Sequence, residues 1–107
     1  MKKITTEEEL KKAIETNDVV VCKFGADWCG PCKVLGKTIS DIESENIDSA
    51  EFIEIDVNEV DADFLGKHGI RTIPVLEYYA NGEAVDRTTG LVTKQELLDK
   101  INSYKKQ

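Results

Sequence analysis

The 107-residue sequence predicts a three-layer α/β domain built on a mixed central β-sheet. Three observations carry this reading. Val19 to Phe24 is a continuous apolar run rich in β-branched residues, the pattern of a strand covered on both faces. Strands and amphipathic helices alternate through the first part of the chain. An Asn81-Gly82 pair, the strongest short-range hairpin signal, then precedes a last helical segment. With 40% hydrophobic residues, the length suits one compact domain over residues 1–107, large enough to fold without disulfide staples.

Residues 1–18, MKKITTEEELKKAIETND, are polar and helical in pattern. Thr6 and Glu9 have capping-box spacing, and Leu10, Ala13 and Ile14 form the apolar stripe of a first helix that runs to about Thr16, where Asn17-Asp18 breaks it. The strand Val19 to Phe24 follows, and after Gly25 the chain turns into Trp28-Cys29-Gly30-Pro31-Cys32, where a second helix should begin. Its body, Lys33 to about Glu45, sets Val34, Leu35, Thr38, Ile39 and Ile42 on one side and gives way around Asn46 to a strand, Glu51 to Val57. Asp61 to His68 reads as a short helix that stops at Gly69. Ile73-Pro74 leads into the strand Val75 to Tyr79, and Asn81-Gly82 returns the chain through Ala84 to Thr89 as an antiparallel edge. Thr93 with Glu96 caps the last helix, whose Leu97, Leu98 and Ile101 face inward.

The balance of 14 basic and 21 acidic residues leaves a net charge of −7, spread along the chain, which argues against phosphate-backbone binding and against nucleic acid as a partner. The first 18 residues hold no signal-peptide apolar region, and no run approaches the ~20 apolar residues of a membrane span, so a cytoplasmic, reducing compartment and no membrane partner are expected. Three cysteines, an odd number, do not make a secreted disulfide framework. In a reducing compartment a Cys-x-x-Cys pair is catalytic or metal-binding.

At the start of a helix the first cysteine of such a pair meets unpaired backbone N–H groups and the positive end of the helix dipole, both of which favour a thiolate. Cys29 is therefore the expected nucleophile and Cys32 the resolving thiol, one turn further in. Cys29 would attack a substrate disulfide to give a mixed disulfide, and Cys32 would attack that bond to release the reduced substrate. Between them, Gly30 and Pro31 form the turn; Pro31 stiffens it and suits the first helical turn, where a missing N–H costs little. The competing reading is a zinc half-site completed by Cys22 and His68, which lacks the second Cys-x-x-Cys or paired histidines that zinc spacing usually shows. No metal is expected.

Trp28-Cys29-Gly30-Pro31-Cys32-Lys33, then Gly69-Ile70-Arg71-Thr72-Ile73-Pro74-Val75, then Asn81-Gly82-Glu83 and Gly90, occur in an order that resembles the thioredoxin family across nearly the whole chain. The resemblance implies the thioredoxin fold, α/β/α with four to five strands and four helices. It also implies a cis bond between Ile73 and Pro74 facing the dithiol, and a substrate groove floored by Trp28, Ile73, Pro74, Gly90 and Leu91. It further implies a protein-disulfide reductase, monomeric and with no bound cofactor beyond the redox-active Cys29–Cys32 disulfide. Its partners would be disulfide-containing proteins and an NADPH-dependent flavoprotein thioredoxin reductase. A second class of function is a non-catalytic binding or assembly role that uses the surface of the domain, and it would survive replacement of both cysteines by serine.

Several positions depart from the family pattern. Gly25 stands where an aromatic residue is common, which removes bulk beneath the active-site turn. Lys37, preceded by Gly36, stands where a proline usually kinks the second helix, so either Gly36 supplies the bend or the helix runs straight. The largest departure is Lys23, at the place of the family's buried aspartate behind the second cysteine. Strand alternation turns Lys23 inward with Val19 and Val21, while Val20, Cys22 and Phe24 take the other face. A buried lone cation would be costly. Glu54, which shares a face with Phe52 and Asp56, is the expected partner and proton acceptor, Glu77 is a second candidate, and the alternative is a lysine that snorkels to solvent. Cys22 reads as a small buried apolar side chain, and His68 as a helix-terminal residue that complements the dipole. Asp27 and Lys33 should stay solvated beside the dithiol, and Tyr78 and Tyr79 should pack within the sheet.

Overall fold

The computed structural model describes residues 1–45 and 50–105. Thr6 caps the first helix, α1 (Glu7–Thr16), by accepting the Glu9 N–H at 3.2 Å. Glu9 returns the bond to the N–H of Thr5 at 3.3 Å, one residue upstream of the usual reciprocal partner. The chain ahead of this helix is not helical as its polar pattern suggested. Lys2–Lys3 is a short strand, β1, parallel to β3 (Glu51–Asp56) in the register Lys2 with Ile53 and Lys3 with Glu54. Two lysines carry no strand signal of their own; the strand exists because β3 offers an open edge and Ile4, immediately after it, is buried at 1% exposure.

The sheet has five strands in the order β1-β3-β2-β4-β5, where β2 is Val19–Gly25, β4 is Val75–Ala80 and β5 is Glu83–Thr89. β2 lies at its centre, parallel to β3 and antiparallel to β4. Every residue of β2 is buried, which explains why its sequence shows an apolar run and no alternation. Asn81 (φ 52°) and Gly82 (φ 86°) both take the left-handed conformation that a two-residue hairpin demands, so the turn follows from these two residues.

The two faces of the sheet have separate cores. On one, Val19, Val21, Leu76 and Tyr78 pack with Leu35, Ile39 and Ile42 of α2 (Gly30–Ser44) and with Leu97 and Ile101 of α4 (Lys94–Lys105). On the other, Val20, Cys22, Phe24, Ile53 and Ile55 meet Leu10 and Ala13 of α1 and Phe64 of α3 (Ala62–Lys67). Three layers result, and Lys23 belongs to the row of Val19 and Val21. Val34, expected to face inward, is 55% exposed, because Cys32, Leu35, Ile39 and Ile42 already supply the buried stripe of α2. That helix ends at Ser44, within a residue of the expected end near Glu45, with the Glu45 N–H bonded to Asp41; the expected break around Asn46 lies outside the described residues.

Candidate active site

Cys29 is the N-cap of α2, in extended conformation, and its Sγ accepts the backbone N–H of Cys32 at 3.2 Å. The sulfur therefore holds the position that an aspartate or serine oxygen takes at other helix starts, where an orphan donor and the dipole favour negative charge. Pro31 lies in the first turn, and the Lys33 N–H already reaches the carbonyl of Cys29. Cys29 and Cys32 form a disulfide, with Cα atoms 5.2 Å apart. Cys29 keeps 8% exposure against 1% for Cys32. The asymmetry expected from the helix start is present, though in the oxidised form both sulfurs are largely covered.

Ala26, Val57 and Ile73 pack around the two cysteines. The Ile73–Pro74 bond is cis, as the resemblance implied, and Pro74 accepts the Gly90 N–H at 2.9 Å. That bond ties the β5–α4 connection to the start of β4, with Gly90 at φ 88°. Trp28, 71% exposed, and Leu91, 58% exposed, are the large apolar side chains left open at this end, one beside the dithiol and the other beside Gly90. The five residues expected to floor a groove thus come from three loops, joined through the dithiol cluster and the Pro74–Gly90 bond. Asp27 and Lys33 are exposed as expected.

Behind Cys32 the structure settles the direction of Lys23. Its side chain is 6% exposed and its Nζ lies 3.5 Å from Oε1 of Glu54, the residue beside it in the parallel register. Lys23 does not snorkel to bulk water. Glu54 is 39% exposed and links the pair to solvent. A side chain beginning at Gly25 would meet Cys32 Sγ at 3.2 Å and Lys23 Cε at 3.5 Å, which bounds the Cε–Sγ separation at about 6.7 Å. The ammonium, one bond further, is within about 8 Å of the sulfur, where two unit charges interact by roughly 2 kcal/mol at an effective dielectric of ~20. A cavity of about 270 Å³ joins these groups, lined by Lys23, Gly25, Cys32, Gly36, Glu54 and Asp56 among others. Sequence reasoning missed Gly36 as part of this wall. The available signal was a glycine in mid-helix, which costs ~1 kcal/mol against alanine and asks for a reason.

Glu77 is not a partner of Lys23. It pairs in register with Cys22, so it points to the opposite face of the sheet. There its carboxylate accepts from Tyr79 Oη at 2.6 Å and from Arg87 at 2.6 Å, and lies 3.0 Å from His68 Nδ1. His68 is more than a helix terminus. Its other nitrogen lies 2.9 Å from Glu7, its ring stacks on Phe64, and its backbone carbonyl accepts from Arg87. The hydrogen bond to Glu77 chiefly raises the His68 pKa above its ordinary value, against the opposing effect of burial. Burial pushes the Glu77 carboxyl up, but His68, Tyr79 and Arg87 outweigh it and hold the group below its ordinary value. Cys22 is fully buried on this same face, and burial pushes its thiol well up. Cys22 and His68 are thus separated by the sheet from Cys29 and Cys32, and among the described residues no cluster of metal-ligating side chains forms. Tyr78 and Tyr79 pack within the sheet as expected, at 0% and 8% exposure.

The family model described as Thioredoxin matches residues 1–103. A thioredoxin of Mycoplasmoides gallisepticum is 35% identical over 91% of this chain and 95% of its own length. One from Bacillus subtilis is 34% identical over 84% of this chain and 86% of its own length. Among solved structures, a mutant thioredoxin from Halobacterium salinarum NRC-1 superposes with a TM-score of 0.86 at 36% identity, covering 96% of this chain and 88% of that one.

Proposed function

From the premise that the chain belongs to the thioredoxin family and is a thiol–disulfide oxidoreductase that reduces protein disulfides through Cys29 and Cys32, we propose the following division of labour. In the reduced protein the Cys29 thiolate attacks one sulfur of a substrate disulfide; the Cys29–substrate bond forms and the other substrate sulfur leaves as a thiolate that takes up a proton. Cys32 then gives up its proton and attacks the Cys29 sulfur. The Cys29–Cys32 bond forms, the second substrate thiolate leaves, and two electrons have passed from the protein to the substrate. The single observation that carries these roles is the Cys29 sulfur at the N-cap of α2, accepting the N–H of Cys32, with the Cys32 sulfur behind it.

Glu54 receives the Cys32 proton through the polar cavity that both residues line, and Lys23 favours the Cys32 thiolate from behind. Glu54 offsets much of the Lys23 charge, so the cation favours the thiolate only modestly. The protein is on this reading somewhat more oxidising than the ~−270 mV of thioredoxin. Trp28, Ile73, Pro74, Gly90 and Leu91 hold an extended substrate segment beside the dithiol, with backbone groups next to Pro74 free to pair with it. The family implies disulfide-bearing substrate proteins and a thioredoxin reductase as partners. We assign the reductase to the NADPH-dependent flavoprotein type, and the protein to the cytoplasm as a monomeric single domain that needs no bound cofactor. Among the described residues no helix is long and apolar enough to cross a membrane.

Cysteine replacement tests the assignment. Cys29→Ser should abolish reduction of a protein disulfide with dithiothreitol as donor, and Cys32→Ser should accumulate the mixed disulfide on Cys29. Mixed disulfide on Cys32 in the Cys29→Ser protein, at the rate of the parent, would overturn the roles. Activity that survives loss of both cysteines would favour the binding role instead.

A further inference from the structure

Gly36 lies in the interior of α2, a fifteen-residue helix that runs through it without interruption. It stands at no turn, and its flexibility weakens the helix. The reason for a glycine is steric. A Cβ at this position would lie 3.3 Å from Lys23 Nζ, so the ammonium would have to give by a few tenths of an ångström, while a Cβ at Gly25 would make ordinary contact with Lys23 Cε at 3.5 Å and crowd Cys32 Sγ at 3.2 Å. Two glycines on different elements thus bracket one buried lysine, Gly25 beside its stem and Gly36 beside its ammonium.

We propose that Gly36 is a positioning residue for the disulfide exchange: its absent side chain is the slot that seats the Lys23 ammonium behind Cys32, and the slot sets the pH at which Cys32 attacks the mixed disulfide. The inference rests on the reading that Lys23 acts on the dithiol. Other charged residues line the same cavity from each surrounding element: Met1, whose N-terminal ammonium is paired with Glu43 at 3.1 Å, Lys3 from β1, Glu54 and Asp56 from β3, Asp27 from the β2–α2 turn and Lys33 from α2. Lys3 is engaged by Glu59 at 2.7 Å, and Asp27 and Lys33 are exposed. Lys23 is the one among these that is buried, so its position acts on the sulfur with least screening. A side chain at residue 36 would push the ammonium toward Glu54 and solvent. Cys32 would then lose its proton at higher pH, although the bonds made and broken in the exchange stay the same.

The test compares Gly36→Ala, Gly36→Leu, Lys23→Met and the Lys23→Met/Gly36→Leu double variant, reading single-turnover release of substrate from the mixed disulfide across pH. Gly36→Leu should raise the pH midpoint of release by up to about one unit, in the same direction as Lys23→Met, and Gly36→Ala by less. In the Lys23→Met background Gly36→Leu should add nothing, since the cation it displaces is gone. Gly36→Ala should stay near the parent in thermal stability, its helix preference offsetting the close contact with Lys23, whereas Gly36→Leu should melt lower because the larger side chain crowds the buried ion pair. Should Gly36→Leu fail to fold, the Gly36→Ala midpoint decides the matter. An unmoved midpoint in the Gly36 variants while Lys23→Met shifts it would overturn the slot alone. A midpoint unmoved by Lys23→Met would overturn both the slot and the role of Lys23. An undiminished effect of Gly36→Leu without Lys23 would show that the new side chain acts on the sulfur directly, and would also overturn the proposal.

Discussion

Replacement of His68 by glutamine should cost stability in a pH-dependent way, and the structure fixes the sign. His68 bridges Glu7 of α1 and Glu77 of β4, with its side chain 11% exposed. Its bond to Glu77, whose carboxylate is 9% exposed, is a buried charge-assisted hydrogen bond worth about 1.5–3 kcal/mol. The bond to Glu7, 38% exposed, adds only ~0.2–1 kcal/mol. Arg87 and Tyr79 stay with Glu77 in the variant, so the carboxylate is not orphaned, and the net loss should be about 2 kcal/mol. For a domain of this size that corresponds to a Tm drop of roughly 10 °C.

Because the folded protein raises the His68 pKa above 6.5, this stability is present in full below 6.5 and is lost as pH rises through the folded value. Glu77, held below 4.5, contributes stability above 4.5 that is lost as pH falls through its folded value. The advantage of the parent over His68→Gln should therefore be greatest between about pH 4.5 and 6.5 and shrink toward pH 9. Urea denaturation of both proteins at intervals from pH 4.5 to 9 measures it. Loss of the His68–Phe64 stacking contributes a constant offset, so only the slope is diagnostic. A difference that stays flat or grows with pH would refute the reasoning.

Lys23→Met should raise the pH at which the thiolates form by less than about one unit and make the potential more reducing, whereas Glu54→Gln should lower that pH and slow release of substrate; thiolate ultraviolet absorbance and redox equilibration with glutathione read both. Alkylation of the reduced protein at neutral pH should label Cys29 first, and mass mapping that finds Cys32 or Cys22 labelled first would contradict the site. Cys22→Ala should lower stability by about 1 kcal/mol through a small cavity, measured by thermal melting, and leave disulfide reduction unchanged.

Residues close together in sequence determined most of the fold and the heart of the site. The continuous apolar run of β2 required cover on both faces, Asn81-Gly82 required a hairpin, and Cys29 immediately before a helix required a sulfur at an N-cap; each follows from local periodicity, backbone conformation or helix-end chemistry. Alternation alone also turned Lys23 to the face of Val19 and Val21. What it left open needed the third dimension. Lys2–Lys3 forms a strand only because β3 lies beside it, and Val34 is exposed because other residues of α2 fill the stripe. Glu77 serves His68 and Arg87 because its pairing with Cys22 across β2 and β4 selects its face. Gly36 meets Lys23 because α2 packs over β2, a contact between residues on different elements that no periodicity encodes. Pattern fixes which way a side chain points along its own element, but strand register decides which carboxylate meets the buried cation, and the packing of one layer on another decides which residue of α2 lies over it.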